Sequence, residues 1–129
     1  MKKRAKKKVP GKRLEVAIKK CVEVEERFSA FSETCKVDGA LSRKEKELIS
    51  LAIAVAKSCV WCVRNHVAHA LDQGVSVEQI IEAAAMAVQM DGGPSVAKLR
   101  HLALKAIEEY ENGYRAQKIG ADWELVKVT

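Results

Sequence analysis

No apolar stretch in this 129-residue chain approaches the ~20 residues that a helix needs to cross a bilayer. The most apolar run, residues 48–56, is short and is interrupted by Ser50. No secretory leader is expected either: after the basic start and Val9-Pro10 come Gly11, Lys12 and Arg13, where ~7–15 apolar residues would be required. A cytoplasmic protein without membrane attachment is therefore expected. Aromatic residues make up only 5% of the chain, so a core built on rings is excluded and close packing of small aliphatic side chains has to supply it. There is no tandem repeat, and before residue 123 no sustained strand alternation. The length leaves room for one core and not for two.

Acidic residues are absent from the first thirteen positions, which hold eight basic ones: Lys2, Lys3, Arg4, Lys6, Lys7, Lys8, Lys12 and Arg13. The chain as a whole has 23 Lys+Arg against 17 Asp+Glu, a net charge of +6. Without the eight, 15 basic residues face 17 acidic ones, so the remainder stands at −2. A basic face running through a nucleic-acid-binding domain is excluded by that balance. Residues 1–13 read as a solvated tail without fixed structure, able to touch nucleic acid only nonspecifically.

What is present is helical periodicity. Leu14, Ile18, Cys21, Phe28 and Phe31 follow one stripe, with Lys19, Lys20, Glu23, Glu25 and Glu26 between them, which predicts an amphipathic helix of about 20 residues. Asp38-Gly39 marks a turn. Ser42 with Glu45 forms a capping box, and the helix it opens runs to Ala56, apolar on nearly every side in its second half. A third helix begins at Cys59-Val60-Trp61-Cys62 and closes at Gly74. Ser76 with Gln79 caps a fourth, which Asp91-Gly92-Gly93-Pro94 stops. A fifth covers residues 95–112 and ends at Gly113. The class is all-α with about five main helices, arranged as a tail (1–13), a helical domain (14–113) and a C-terminal arm (114–129). Residues 123–128 alternate weakly and fit a strand, an arm or an unstructured end equally.

Four cysteines in a reducing compartment do not suggest a disulfide framework, and a close pair then points to redox chemistry or a metal. In Cys59-x-x-Cys62-x-x-x-His66 the steps of three and four place two thiols and an imidazole on one helix face. Ser58 is the expected cap, placing Cys59 in the first turn, where free amides and the helix dipole favour a thiolate. His66 is placed to hold the Cys62 proton or stabilise its anion. The plainer alternative, two small buried thiols and a structural histidine, fits a lone cysteine better than this spacing. A zinc site of Cys59, Cys62, His66 and His69 is disfavoured: on one helix these span about 15 Å, whereas zinc ligands sit ~2.0–2.3 Å from one ion. No metal and no bound cofactor are expected. Cys21, Cys35, His69 and His101 receive no role, the two cysteines being read as inert buried or semi-exposed thiols.

Gly39-Ala40-Leu41, Lys46-Glu47-Leu48-Ile49, the Cys59/Cys62/His66 motif, Ala70, Gly74, Glu78-x-Ile80-x-Glu82-Ala83 and Gly92-Gly93-Pro94 occur in this order over roughly residues 28–110. This succession resembles the carboxymuconolactone decarboxylase family, in its alkylhydroperoxidase AhpD-like branch. The resemblance implies an all-helical subunit assembling as a homotrimer or homohexamer. It also implies a thiol-dependent peroxidase or disulfide reductase, whose substrate is a hydroperoxide or disulfide and whose reductant is an external protein or small thiol. By the same resemblance Glu47, twelve residues before the first motif cysteine, joins His66 in a proton relay, Cys62 attacks the peroxide, and Cys59 resolves the product as a disulfide. From its own neighbours Lys44, Glu45 and Lys46, Glu47 would read as a solvated residue. The peroxidase members carry a histidine before the second motif cysteine, where this chain has Trp61. An indole cannot carry that proton, which shortens the implied relay to Glu47 and His66, and leaves Trp61 to cover the site, line a pocket or pack against a neighbour. The alternatives are lactone decarboxylation, whose members generally lack the cysteine pair, and a non-catalytic oligomer with nucleic-acid-contacting basic arms.

Overall fold

The computed structural model describes residues 11–120 and 122–129. It divides into two compact units, one ending at Val37 and one running from Asp38 to Thr129. In the first, α1 (Lys12–Lys36) is a 25-residue helix. It begins two residues before the expected start, so Lys12 and Arg13 belong to a helix rather than to the tail; the rest of the tail, residues 1–10, lies outside the described residues. Lys20 and Arg27 both pair with Glu23, one turn away on either side. The apolar stripe is present, but no residue of α1 is buried, and Phe28 and Phe31 are exposed. Cys21 and Cys35 on this helix are exposed free thiols, which corrects the expectation that they would be buried or half-buried.

In the second unit α2 (Arg43–Ala56), α3 (Val60–Asp72) and α4 (Val77–Asp91) pack against one another. Both capping boxes form: the Ser42 Oγ accepts from the Glu45 amide and the Ser76 Oγ from the Gln79 amide, while the Glu45 and Gln79 side chains reach back to the cap amides. The core is aliphatic and small. Leu51, Ala54 and Val55 meet Val63, Val67 and Ala70, with Ile80, Ala84 and Ala87 and then Ala103, Ala106 and Ile107 completing it. Each fully buried Leu or Ile contributes about 1.5–3 kcal/mol by leaving water, and the alanines let helix backbones approach closely. The second half of α2 is not buried on every side, since Ile53 remains exposed.

Beyond Gly92, whose φ of 91° only glycine adopts readily, the chain makes a 3₁₀ turn (Gly93–Ser95). The single helix expected over residues 95–112 is a composite: α5 (Val96–Lys98), a π-helical stretch (Leu99–Leu104) and α6 (Lys105–Glu111). The wider π winding changes the phase of the side chains, so Ala103, Ala106 and Ile107 face the core while Val96 and Leu104 are exposed. Lys98 ties this segment to two helix ends, donating to the Ala56 carbonyl at 2.9 Å and to Asp91 at 2.7 Å.

After Gly113 come two strands, β1 (Tyr114–Ile119) and β2 (Asp122–Lys127), paired antiparallel with Tyr114 opposite Lys127 and Lys118 opposite Trp123. The reading that no strand precedes residue 123 is thereby corrected. β1 lies against α3 and α6. Among the described residues no helix is long and apolar enough to cross a membrane.

Candidate active site

The link between α2 and α3 is short and turns sharply. Ser58 adopts φ 56°, a left-handed conformation that costs a non-glycine residue about 1–2 kcal/mol. It therefore does not cap α3. Cys59 does, and its Sγ accepts the Cys62 amide at 3.3 Å. The thiol pair thus occupies the N-cap and the first turn of α3, where unpaired amides and the helix dipole stabilise a thiolate. Cys59 and Cys62 are joined by a disulfide, their Cα atoms 5.2 Å apart, and both residues are partly accessible.

One turn further along α3, His66 Nδ1 lies 2.7 Å from Glu47 Oε2. Glu47 is 1% exposed, in the second turn of α2, and among the described residues it is the one charged side chain that is buried. The solvated reading its neighbours suggest does not hold: Lys44 and Glu45 are exposed, whereas residue 47 lies on the helix side that faces α3. A carboxylate taken out of water is tolerated when a cation or strong hydrogen-bond donors stand against it, and His66 meets that need. The second carboxylate oxygen, Oε1, is 3.8 Å from Nδ1 of His69, whose side chain is 46% exposed. The two rings stand edge to face with centroids 6.4 Å apart.

On another side of α3, Trp61 stacks on Trp123 of β2, the ring centroids 6.2 Å apart and the planes 24° from parallel. The Arg64 guanidinium sits 4.6 Å from the Trp61 ring centre and makes a two-point ion pair with Glu109 of α6, at 2.6 and 2.7 Å. Trp61 thus meets an indole and a guanidinium of its own chain.

Residues 23–105 match the family model described as the carboxymuconolactone decarboxylase family. The chain belongs to this family. A relative from Paracoccus denitrificans, called uncharacterized protein 4 in cox locus, is 35% identical over 88 residues, covering 68% of this chain and 78% of its own length. Among solved structures, a carboxymuconolactone decarboxylase family protein of Legionella pneumophila superposes with a TM-score of 0.66 at 38% identity, over 76% of this chain and 87% of its own. A family member from Thermotoga maritima, for which a part in the antioxidative response has been suggested, gives a TM-score of 0.61 at 30% identity, over 67% and 89%. The all-α, AhpD-like fold expected from the motifs is the fold of this carboxymuconolactone decarboxylase family chain.

Glu47, Cys59, Cys62, His66 and His69 all fall inside the matched region; Glu109 and Trp123 fall beyond it. The structure brings Glu47 to His66 and sets the cysteines at the start of the same helix as His66. His69 went unassigned in the sequence, although its three-residue step from His66 puts both imidazoles on one helix face. Trp123 and Glu109 gave no sequence signal, because only the tertiary fold carries them to α3. Tyr110, on α6, donates to Asp72 at 2.5 Å, and that bond holds its phenol above the ordinary tyrosine range.

Proposed function

We propose that this protein is a thiol-dependent oxidoreductase that reduces hydroperoxides or disulfides through Cys62 and Cys59. The observation that supports the reading is the placement of a disulfide-forming pair at the start of α3, one turn before a histidine bound to a buried carboxylate. In the reduced protein the Cys62 thiolate attacks the terminal peroxide oxygen. An S–O bond forms, the O–O bond breaks, and the departing alkoxide takes a proton held by His66 and Glu47. The Cys59 thiol then attacks the sulfenic sulfur, forming the disulfide and releasing water. The substrate gains two electrons and the dithiol loses two; an external thiol or dithiol returns them by exchange. With a disulfide as substrate the same thiolate attacks sulfur, and the leaving thiolate takes the proton.

Trp61 offers no proton, so the relay consists of Glu47 and His66 alone. The working assembly is a homo-oligomer: Ile49 and Ile53 of α2 and Met86 and Met90 of α4 are exposed, an apolar surface that a second copy would cover. The site belongs to a reducing, cytoplasmic setting in which the disulfide is a passing state.

The test is consumption of an alkyl hydroperoxide with a dithiol reductant. Cys62→Ser abolishes turnover, and Cys59→Ser allows one event per chain before stalling. Parent-like rates in both variants would sink the reading.

A further inference from the structure

Glu47, His66 and His69 each offer a ligand atom, and these atoms lie within 4.8 Å of one another. We propose that the three side chains form a binding site for a divalent cation of the zinc class, distinct from the thiol set that the sequence brings to mind. The donors are one carboxylate and two imidazoles, a combination that suits borderline ions such as Zn²⁺ and is poor for Mg²⁺ or Ca²⁺, which take mostly oxygen.

The geometry needs a side-chain rearrangement but no movement of the helices. A tetrahedral ion with bonds of ~2.0–2.1 Å sets its donors about 3.3 Å apart. His69 Nδ1 stands 3.8 Å from Glu47 Oε1 and His66 Nδ1 2.7 Å from Glu47 Oε2, so each imidazole faces its own carboxylate oxygen, and an ion held by one of them draws the three ligand atoms in from their 4.8 Å spread. The member with most freedom is His69, the most exposed of the three, and its open side is the path by which an ion enters from water. Glu47 and His66 are held by the packing of α2 on α3, so two of the three donors are preorganised. Three protein ligands leave a fourth position for water or a small ligand, the pattern of open rather than closed zinc sites.

The thiols are not needed, because sulfurs joined in the Cys59–Cys62 disulfide carry no thiolate to donate. Binding therefore stands apart from the redox reading. Only its consequence rests on that reading: an ion on Glu47 Oε2 and His66 Nδ1 takes both groups out of the relay and silences thiol turnover while it is bound.

The experiment uses the full chain in its oxidised form, with Cys21→Ser and Cys35→Ser removing the exposed free thiols. Titration with Zn²⁺ followed by calorimetry reads stoichiometry and affinity, and Co²⁺ reads the donor set by its absorption. One ion per chain is expected, with affinity at least ~10-fold weaker in Glu47→Gln and in His69→Ala, and unchanged in His101→Ala. The Co²⁺ form should show visible bands of nitrogen and oxygen ligation and no thiolate charge-transfer band. His69→Ala alters a partly exposed side chain, and its thermal unfolding checks that the fold is kept. The proposal is overturned by absence of stoichiometric binding, by affinity that survives both Glu47→Gln and His69→Ala, or by a thiolate band. If Cys62→Ser leaves peroxide turnover intact while Zn²⁺ binding behaves as stated, the redox reading fails and the metal site stands. The opposite pairing removes the metal site alone.

Discussion

Helix α3 is met by two carboxylates from different helices, and each finds a basic side chain only two positions from the other's. Glu109 of α6 takes Arg64 in a two-point ion pair at 2.6 and 2.7 Å, with the guanidinium also resting on Trp61. Glu47 of α2 takes His66 through one contact at 2.7 Å. The first pair is a planar guanidinium fork set on a carboxylate, which fixes orientation. The second joins the carboxylate to an imidazole, the side-chain type suited to passing protons, one turn from the cysteines. Similar distances thus serve different ends: the Arg64 pair joins α3, Trp61 and α6, and the His66 pair is the one the proposed reaction uses.

The largest effect that tests this division is on turnover. Glu47→Gln keeps the shape of the side chain and removes its ability to balance an imidazolium. It should lower the thiol-dependent rate by about 10²-fold or more, as loss of a general acid-base group does. Glu109→Gln should leave the rate within about twofold. A rate loss in Glu109→Gln as deep as in Glu47→Gln would erase the distinction, and stopped-flow peroxide consumption in both variants decides it.

Stability tests the structural side of the division, the part played by the Arg64 pair. Glu109→Ala leaves Arg64 partly buried without its partner; with both side chains partly solvated, the cost is about 2 kcal/mol, below the 3–5 typical of deeply buried pairs. Arg64→Lys keeps the charge but loses the fork and the flat contact with Trp61, for about 1 kcal/mol. Urea unfolding of the two variants measures both, and a larger loss in Arg64→Lys than in Glu109→Ala would mean that ring contact, not charge, does the holding.

The same contrast shows which parts of the molecule could be read from the chain. The two capping boxes, the glycine stop at Gly92 and the Cys59/Cys62/His66 face were legible because they depend on residues within four positions of each other. Glu47 was legible only through the family resemblance, since its exposed neighbours argued for solvent. Ser58 was misread as a cap because serine is a common one; the left-handed turn moved that task to Cys59. The hairpin escaped notice because Tyr114–Ile119 mixes arginine, glutamine and lysine without a clean period of two, its inner face being supplied by α3 and α6. The partners Arg64–Glu109 and Trp61–Trp123 are separated by too many residues for any local pattern to join them.

The hairpin stack comes next in size. Trp123→Ala removes the indole stacked on Trp61, and aromatic pairs of this kind contribute about 0.5–1.5 kcal/mol beyond burial. With only two tryptophans in the chain, fluorescence of Trp123→Phe reports Trp61 alone, the indole between the two disulfide-linked cysteines in sequence. A shift in that emission on reducing the disulfide is expected. A signal blind to redox state would place Trp61 outside the influence of the site.

A third carboxylate calibrates the comparison at its weak end. Asp91 is exposed and is met by Lys98 and by the Ser95 hydroxyl, which together hold its carboxyl below the ordinary value of 3.8, Lys98 contributing most. A folded-state value below the unfolded one means that the pair's stabilisation is complete above pH 3.8 and fades as pH falls through the folded value. The stability difference between the parent and Asp91→Asn should therefore be small, constant from neutral pH down to about 5, and should close in stronger acid. Salt should shrink it as well, because solvent screens an exposed pair, whereas the Arg64–Glu109 difference should survive added salt largely unchanged. Equal salt sensitivity at the two positions would show that burial, the property used to rank all three carboxylates, does not control their strength.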